Sequence, residues 1–316
     1  MNNTLQQKIT ETLLQAGFIE VGFSKAGPVD QSWADKLQHW LSEGHNNGLQ
    51  YMERNNDKRI DTTLFRPGTK SVISMLHPWP EMNFDDGKLK IAGYAHGHDY
   101  HLYLPKIAEP ALALLSAADH ASKPVFLTDS AAMFDRYWAW KAGLGFIGHN
   151  GFIIHREAGS RVLIAHILTS LEFDYTATPL ENACGHCTNC YEHCPTQAFN
   201  RNGTIDARKC IACFNIESKK QMPEEMAEKN PGWIFGCDVC QLVCPYNQTK
   251  TLFEGSAKMK DNWNVPATID EWLNLNESEF ADKYAHTPLK RAGIEKIKQT
   301  IKDLFPDTSG NSSRIL

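Results

Sequence analysis

Residues 184–195 read Cys184-Gly-His-Cys187-Thr-Asn-Cys190-Tyr-Glu-His-Cys194-Pro195. The spacing C-x2-C-x2-C-x3-C-P is the one bacterial ferredoxins use to hold a [4Fe-4S] cluster. A second run follows, Cys237-Asp-Val-Cys240-Gln-Leu-Val-Cys244-Pro245. It lacks a leading cysteine, and Cys210 can supply one from upstream across an insertion. A cubane needs four thiolates at the corners of a small tetrahedron. Two-residue gaps let one tight loop wrap three irons, while the cysteine before the proline starts a new element and reaches away. In two-cluster ferredoxins the fourth cysteine of each run ligates the opposite cluster. Cluster one is therefore assigned to Cys184, Cys187, Cys190 and Cys244. Cluster two is assigned to Cys194, Cys210, Cys237 and Cys240. Of nine cysteines, only Cys213 is left over, and it reads as a small buried residue.

Zinc sites are built from two pairs rather than from a run of this kind followed by a second Cys-Pro. Disulfide frameworks belong to small secreted chains. Two clusters imply electron transfer without naming its destination.

The chain of 316 residues is long enough for two domains and a sizeable core. Its 42% hydrophobic and 22% charged residues are those of an ordinary globular protein. No uninterrupted apolar stretch approaches a membrane span. The start, Met1-Asn-Asn-Thr-Leu-Gln-Gln-Lys, carries neither a secretory nor a twin-arginine signal. A cytoplasmic location is expected, without membrane contact. The net charge of −5 does not advertise nucleic-acid binding, so a polyanion would have to meet a local basic patch.

Leu5, Ile9 and Leu13 predict a helix ending at Gly17, and Phe18 to Phe23 a strand. Residues 31–43 form an amphipathic helix around Trp33, Leu37, Trp40 and Leu41. Ser71 to Leu76 reads as a buried strand, and Glu81 to Lys90 as a surface loop. Leu102 to Ala118 is a long apolar helix with Pro105 near its start and Pro110 a kink. Pro124 to Thr128 is a strand, and Asp129-Ser130 leads into a helix holding Met133, Phe134, Tyr137 and Trp138. Gly151 to His155 and Arg161 to Thr169 read as a hairpin around Glu157-Ala158-Gly159-Ser160. A helix follows late in the chain, with Ile294, Ile297, Ile301 and Leu304 on one side and Lys296, Lys298 and Lys302 elsewhere. Ser309 to Leu316 reads as frayed. The fold class is α+β: an α/β sheet-centred domain joined to a ferredoxin-like domain with two [4Fe-4S] clusters. The expected division is 1–175, 176–250 and a short helical tail, 251–316.

A cluster domain behind 175 residues implies that the upstream part holds an electron acceptor or its cofactor. No G-x-G-x-x-G follows a strand, so a dinucleotide site has no motif support. The glycines of Lys141-Ala-Gly-Leu-Gly-Phe-Ile-Gly-His-Asn150-Gly allow close approach to a ligand, or simply form a tight loop. Asp129 stands where a strand ends and a helix begins. That is a common place for an active-site acid and also the expected place for a helix cap. His96, His98 and His101 share no register that would build a metal site.

Together with the cysteines, several segments resemble the signatures of epoxyqueuosine reductases. They are Asp99-Tyr-His, Thr128-Asp129-Ser130, Arg136 followed by Lys141-Ala-Gly-Leu-Gly-Phe, His149-Asn150-Gly, Asp206-Ala-Arg-Lys-Cys210 and Gly236-Cys-Asp-Val-Cys-Gln. The resemblance runs from about residue 10 to about 305. It implies a cobalamin-dependent iron–sulfur enzyme that reduces the epoxide of epoxyqueuosine at the tRNA wobble position, the last step of queuosine formation. By the same resemblance, Asp129 is the proton donor, needing a raised pKa. Arg59 and Asn150 match positions near the corrinoid. The partners implied are a tRNA anticodon loop and an external electron donor, and a monomer is expected.

Two departures stand out. Many relatives carry a C-terminal helical-repeat extension, whereas this sequence ends soon after Lys290-Arg291-Ala-Gly. The arginine often found before the Tyr-Ala segment is Gly93 here. Arg201, Arg208, Lys209, Lys219, Lys220 and the Lys296 face are the candidate phosphate contacts. A corrinoid reductive dehalogenase and a non-catalytic electron carrier are the alternative readings.

Overall fold

The computed structural model describes residues 2–79, 89–120, 123–248 and 265–306. Most of the expected surface loop at Glu81 to Lys90, and all of the segment Ser309 to Leu316, lie outside the described residues.

The apolar triad near the start builds α1 (Asn2–Ala16), with Ile9 and Leu13 fully buried. β1 (Glu20–Lys25) and α2 (Gln31–Ser42) follow. Three short helices come next: α3 (Gln50–Glu53), α4 (Asn56–Ile60) and α5 (Thr62–Phe65). β2 (Ser71–Pro78) is buried along its whole length, and β3 (Lys90–Ile91) is brief. α6 (Tyr100–Ala118) is capped by Asp99, whose carboxylate accepts from the His101 amide, and it contains both prolines. β4 (Val125–Leu127), α7 (Asp135–Lys141), β5 (Phe146–Ile147), β6 (Ile153–Ile154) and β7 (Val162–Thr169) complete the first part.

The main sheet has the order β1-β2-β7-β4, antiparallel throughout. Side chains alternate across it, as the pleat requires. Ile73 and Met75 of β2 join Ala165 and Ile167 of β7 against α1 and α6, in one core with Leu104 and Ala108. Val72 and Leu168 turn to the opposite face and pack with Met133, Tyr137 and Trp138. Each sheet face is thus closed by its own helices.

Two local expectations change. α7 starts at Asp135, and residues 128–134 are bends and coil, so Asp129 does not cap it. The expected hairpin is reduced to a single bridge, His155 to Gly159. β6 pairs instead with β5, while β7 enters the main sheet between β2 and β4. A long buried strand gains more by pairing on both edges than by closing a two-residue hairpin.

The second half carries α8 (Asn189–Glu192), a π-helical turn at Cys213–Glu217, α9 (Glu224–Lys229), β8 (Trp233–Phe235) and α10 (Val239–Leu242). β8 pairs with β3 in parallel and ties the halves together. Beyond it lie α11 (Ile269–Asn274), α12 (Glu277–Tyr284) and α13 (Ile294–Leu304). α11 and α12 each begin with a full capping box, Thr268 with Glu271 and Asn276 with Glu279. These helices share a core with Ile91, Ala95, Ile234 and Phe235, through Trp272, Phe280, Ile297 and Ile301.

Candidate active site

The eight assigned cysteines gather as the spacing requires. Cys184, Cys187, Cys190 and Cys244 line one cavity of about 310 Å³, together with His149, Asn150, Tyr246 and others. Cys194, Cys210, Cys237 and Cys240 form a second, deeper set whose thiols repel one another when ionised. Burial, then the charges of Cys184 and Cys187, pushes Cys190 up to about 11, and burial, then the charges of Cys213 and Cys194, does the same for Cys210. Four thiolates without a metal are therefore costly, and iron would relieve the cost. Among the described residues no three His, Cys, Asp or Glu are close enough to hold a single metal ion. A cubane spreads its thiolates wider than one ion does, so both sets fit clusters.

The glycine-rich segment serves the first set. A Cβ on Gly145 would lie 2.5 Å from the Ile154 carbonyl, and one on Gly148 would lie 2.4 Å from Ile154 Cδ1. The glycines thus make a tight loop against β6 rather than a bed for a ligand. That packing delivers His149, whose amide donates to Cys184 Sγ at 3.4 Å and whose Nδ1 lies 2.9 Å from the Cys187 carbonyl. Asn150 is buried in the same place and accepts from the Phe152 amide at 3.2 Å. Cys213 is buried as expected, opposite Asn47, which donates to its sulfur at 3.6 Å.

Asp129 follows β4 on a bend, with φ at +48°. Its carboxylate accepts from Tyr100 Oη at 2.8 Å. The residue is open to solvent, yet protein surrounds it closely enough that burial raises its pKa. The negative charge of Asp135 adds to the rise, while the Tyr100 hydrogen bond, His101 and Arg136 oppose it. The exposed surface leaves the carboxyl within reach of solvent and of a ligand. Tyr51 shows the same pairing of features: its side chain is exposed, and burial, then Glu217 and Asp129, push it up to about 12. Tyr94 and Arg291 also bear on Asp129.

Arg59, on α4, is buried and donates to the Tyr51 and Met133 carbonyls at 3.0 and 3.3 Å. Its Nε is buried without a hydrogen-bond partner among the described residues. Tyr51, Tyr94 and Tyr100 near Asp129, with the unpaired buried Nε of Arg59 close by, are polar groups that suit a ligand with amide arms, as a corrinoid is. Sequence reading missed Tyr51, Tyr94 and Arg291, since only folding brings these separate segments to one place. Tyr100 was within reach, as the middle residue of Asp99-Tyr-His101.

Asp99 itself is 1% exposed. Burial would raise its pKa, but hydrogen bonds from His101 and Lys290 overrule it and hold the carboxyl at about 2. Lys290 Nζ lies 2.7 Å from Oδ2, and His101 Nδ1 lies 2.8 Å from Oδ1. His96 instead contacts the Ile91 carbonyl, and His98 stacks on Tyr103. The three histidines thus have separate partners.

Among the candidate phosphate contacts, Arg208 is held by Asp206 through two hydrogen bonds of 2.9 and 2.8 Å. Lys220 donates to Asn47 Oδ1 at 3.2 Å, Lys296 donates to the Ser218 carbonyl, and Arg201 lies over the Tyr191 ring. Lys209 and Lys219 are exposed.

Two four-cysteine sets, in a chain that also holds an acid whose pKa burial raises, define an iron–sulfur oxidoreductase. Residues 183–247 match the 4Fe-4S double cluster binding domain family. The chain is 34% identical to the epoxyqueuosine reductase of Cellulophaga algicola, covering 91% of this chain and 94% of that one. It is also 34% identical to that of Gloeobacter violaceus, with 94% of each covered. The chain belongs to the epoxyqueuosine reductase family. A solved epoxyqueuosine reductase with an epoxyqueuosine-modified tRNA-Tyr stem loop superposes with a TM-score of 0.87 at 26% identity, covering 96% of this chain and 81% of that one. A Bacillus subtilis structure with its catalytic loop swung out of the active site gives 0.86 at 26% identity, covering 96% and 82%. Among the described residues no helix is long and apolar enough to cross a membrane.

Proposed function

We propose that this chain reduces epoxyqueuosine in tRNA to queuosine, with Asp129 as the proton donor. The observation that carries the reading is an Asp129 carboxyl with a raised pKa, held by Tyr100, in a chain that also gathers two four-cysteine sets. Opening the epoxide to the alkene takes two electrons and two protons and releases water. The departing oxygen is a poor leaving group until protonated, so a positioned acid is required. Asp129 meets that need because burial raises its pKa and so favours the acid form, and Tyr100 orients the carboxyl.

When bound, two [4Fe-4S] clusters and cobalamin supply the electrons. Cys184, Cys187, Cys190 and Cys244 would hold the first cluster. Cys194, Cys210, Cys237 and Cys240 would hold the second. Arg59, Asp129 and Asn150 are the proposed cofactor contacts. For Asn150 the contact is with the first cluster's cavity, which it lines. Tyr51 and Tyr94 stand close enough to Asp129 to feel its charge, which places them beside the proposed reaction centre.

The tRNA anticodon loop presents its modified base, splayed out, to Asp129, and exposed Lys209 and Lys219 are available to phosphates. The reading includes an external electron donor, a monomer and a cytoplasmic location. The reading keeps a division at 175 and 250, with the last part packed on Ile91 and Ala95 of the first as well as on Ile234 and Phe235 of the middle one.

The test is anaerobic. Protein with reconstituted clusters and cobalamin is mixed with a reductant and an epoxyqueuosine stem loop, and the digested nucleosides are weighed by mass spectrometry. Loss of one oxygen, dependent on cobalamin, is the expected result. An unchanged nucleoside with clusters and corrinoid bound would overturn the reading.

A further inference from the structure

Segment 286–291 reaches back from the carboxy-terminal part to the amino end of α6. The His286 carbonyl accepts from the Asp99 amide at 2.7 Å. Lys290, in the 3-10 turn Pro288–Arg291, donates from Nζ to Asp99 Oδ2 at 2.7 Å. The turn is itself fixed. Leu289 is fully buried, and Thr287 caps the turn by accepting from the Leu289 amide at 3.3 Å. Arg291 forks onto the Glu217 carboxylate at 3.1 and 2.7 Å. Exposed ion pairs contribute little, because two mobile side chains must be ordered in water. Here the lysine is 44% exposed, but it hangs from an anchored turn and its partner is only 1% exposed.

Asp99 passes that anchorage on. Its Oδ1 accepts from the His101 amide at 2.9 Å, which caps α6, and lies 2.8 Å from His101 Nδ1. A side-chain cap of this kind fixes the first turn of a helix. Tyr100 is the first residue of that turn. The His101 ring lies against the Tyr100 ring, with centroids 4.1 Å apart and planes at 28°. Tyr100 Oη then donates to Asp129 at 2.8 Å. The line from Lys290 to Asp129 therefore consists of hydrogen bonds and one helical turn. A buried carboxylate needs donors on both oxygens. His101 serves Oδ1, and Lys290 serves Oδ2. Without Lys290 the carboxylate has to turn toward its remaining donors or toward water, and the first turn of α6 moves with it.

We propose that Lys290 is a positioning residue for epoxide reduction: by holding Asp99 it sets the first turn of α6, and so the hydrogen bond that aims the Asp129 carboxyl. The inference rests on Asp129 being the proton donor.

The test uses the holoenzyme, with clusters and corrinoid bound. Lys290→Met removes the donor, and Lys290→Arg keeps both charge and donors. Rates are counted per folded molecule. In Lys290→Met kcat should fall about ten- to a hundredfold, with KM for the stem loop and corrinoid content unchanged, and Lys290→Arg should restore most of it. The infrared band of the Asp129 carboxyl is assigned by its absence from Asp129→Asn and read at one pH without turnover. It should move in Lys290→Met toward its position in Tyr100→Phe, and keep its parental position in Lys290→Arg. If Lys290→Met does not fold, Lys290→Gln, which keeps a neutral donor, is read the same way. A residue that served stability alone would lower the folded fraction and leave the band where it was. An unmoved band overturns the inference whatever the rate, and so does a moved band with parental kcat. A moved band in a protein whose parent never reduces the epoxide would support the positioning link and count against the functional reading instead.

Discussion

Tyr100 donates its phenolic hydrogen to Asp129 across 2.8 Å, joining the first turn of α6 to the bend after β4. The bond favours the ionised carboxylate and so works against the burial that raises the Asp129 pKa. The geometry that orients the acid therefore also trims its hold on the proton. Asp129→Asn keeps the hydrogen-bond acceptor and removes the proton. Turnover should fall by about 10²- to 10⁴-fold, with iron content and corrinoid binding unchanged. Normal turnover in that variant would end the proton-donor assignment.

The pH dependence follows from the same pair. Asp129 has a raised pKa, so its acid form is complete at low pH and is lost as pH rises through that value. The rate should fall on the alkaline side. Tyr100→Phe deletes a bond that favours the ionised form, so the alkaline limb should move to higher pH even if the maximum rate drops. A limb that moves to lower pH would show that Tyr100 acts in some other way.

The cysteine cages can be tested separately. Cys184→Ala should remove the first cluster and Cys240→Ala the second, each leaving about half the iron on the four-thiolate rule. Cys213→Ala should keep both clusters, since Cys213 is buried opposite Asn47 and belongs to neither set. Full iron in Cys184→Ala, or half in Cys213→Ala, would contradict the ligand sets. Electron paramagnetic resonance of the reduced proteins would show which signal is gone.

Asp99 offers a stability test. Its carboxyl is held at about 2, below the ordinary 3.8. Its stabilising effect is present above the ordinary value and is lost as pH falls through about 2. Lys290→Met removes one of its two partners and leaves a buried carboxylate less satisfied, at a cost of about 1–3 kcal/mol at neutral pH. Denaturation at pH 7 should show that loss, and the difference from the parent should shrink in strong acid. An equal difference at both pH values would mean that Lys290 contributes through packing alone.

The cysteine ligands were legible because cluster chemistry dictates sequence spacing, and the distant Cys210 was the only member that had to be inferred. α1, α2, β2 and α6 were legible from apolar period. Asp129 was harder. An aspartate before an apolar run is normally a cap, and only the five intervening residues of bend and coil distinguish the two cases. The role of Gly145 and Gly148 was open in the sequence because a close approach does not say what approaches. α11 and α12 were passed over although both capping boxes are written in the sequence, since each helix is short and its apolar residues pack on distant segments.

Trp272, Phe280 and Ile297 share one apolar core with Ile91 and Phe235, and Cys237 lies just beyond Phe235. The carboxy-terminal helices therefore cannot melt away while the cage stays intact. Loosening them exposes the strand that leads into the second cage and opens its sulfurs to air. Heat, a protease cutting near residue 285 and oxygen should converge on one event, the bleaching of the protein's brown colour. Fading colour would then serve as a gauge of fold integrity during handling.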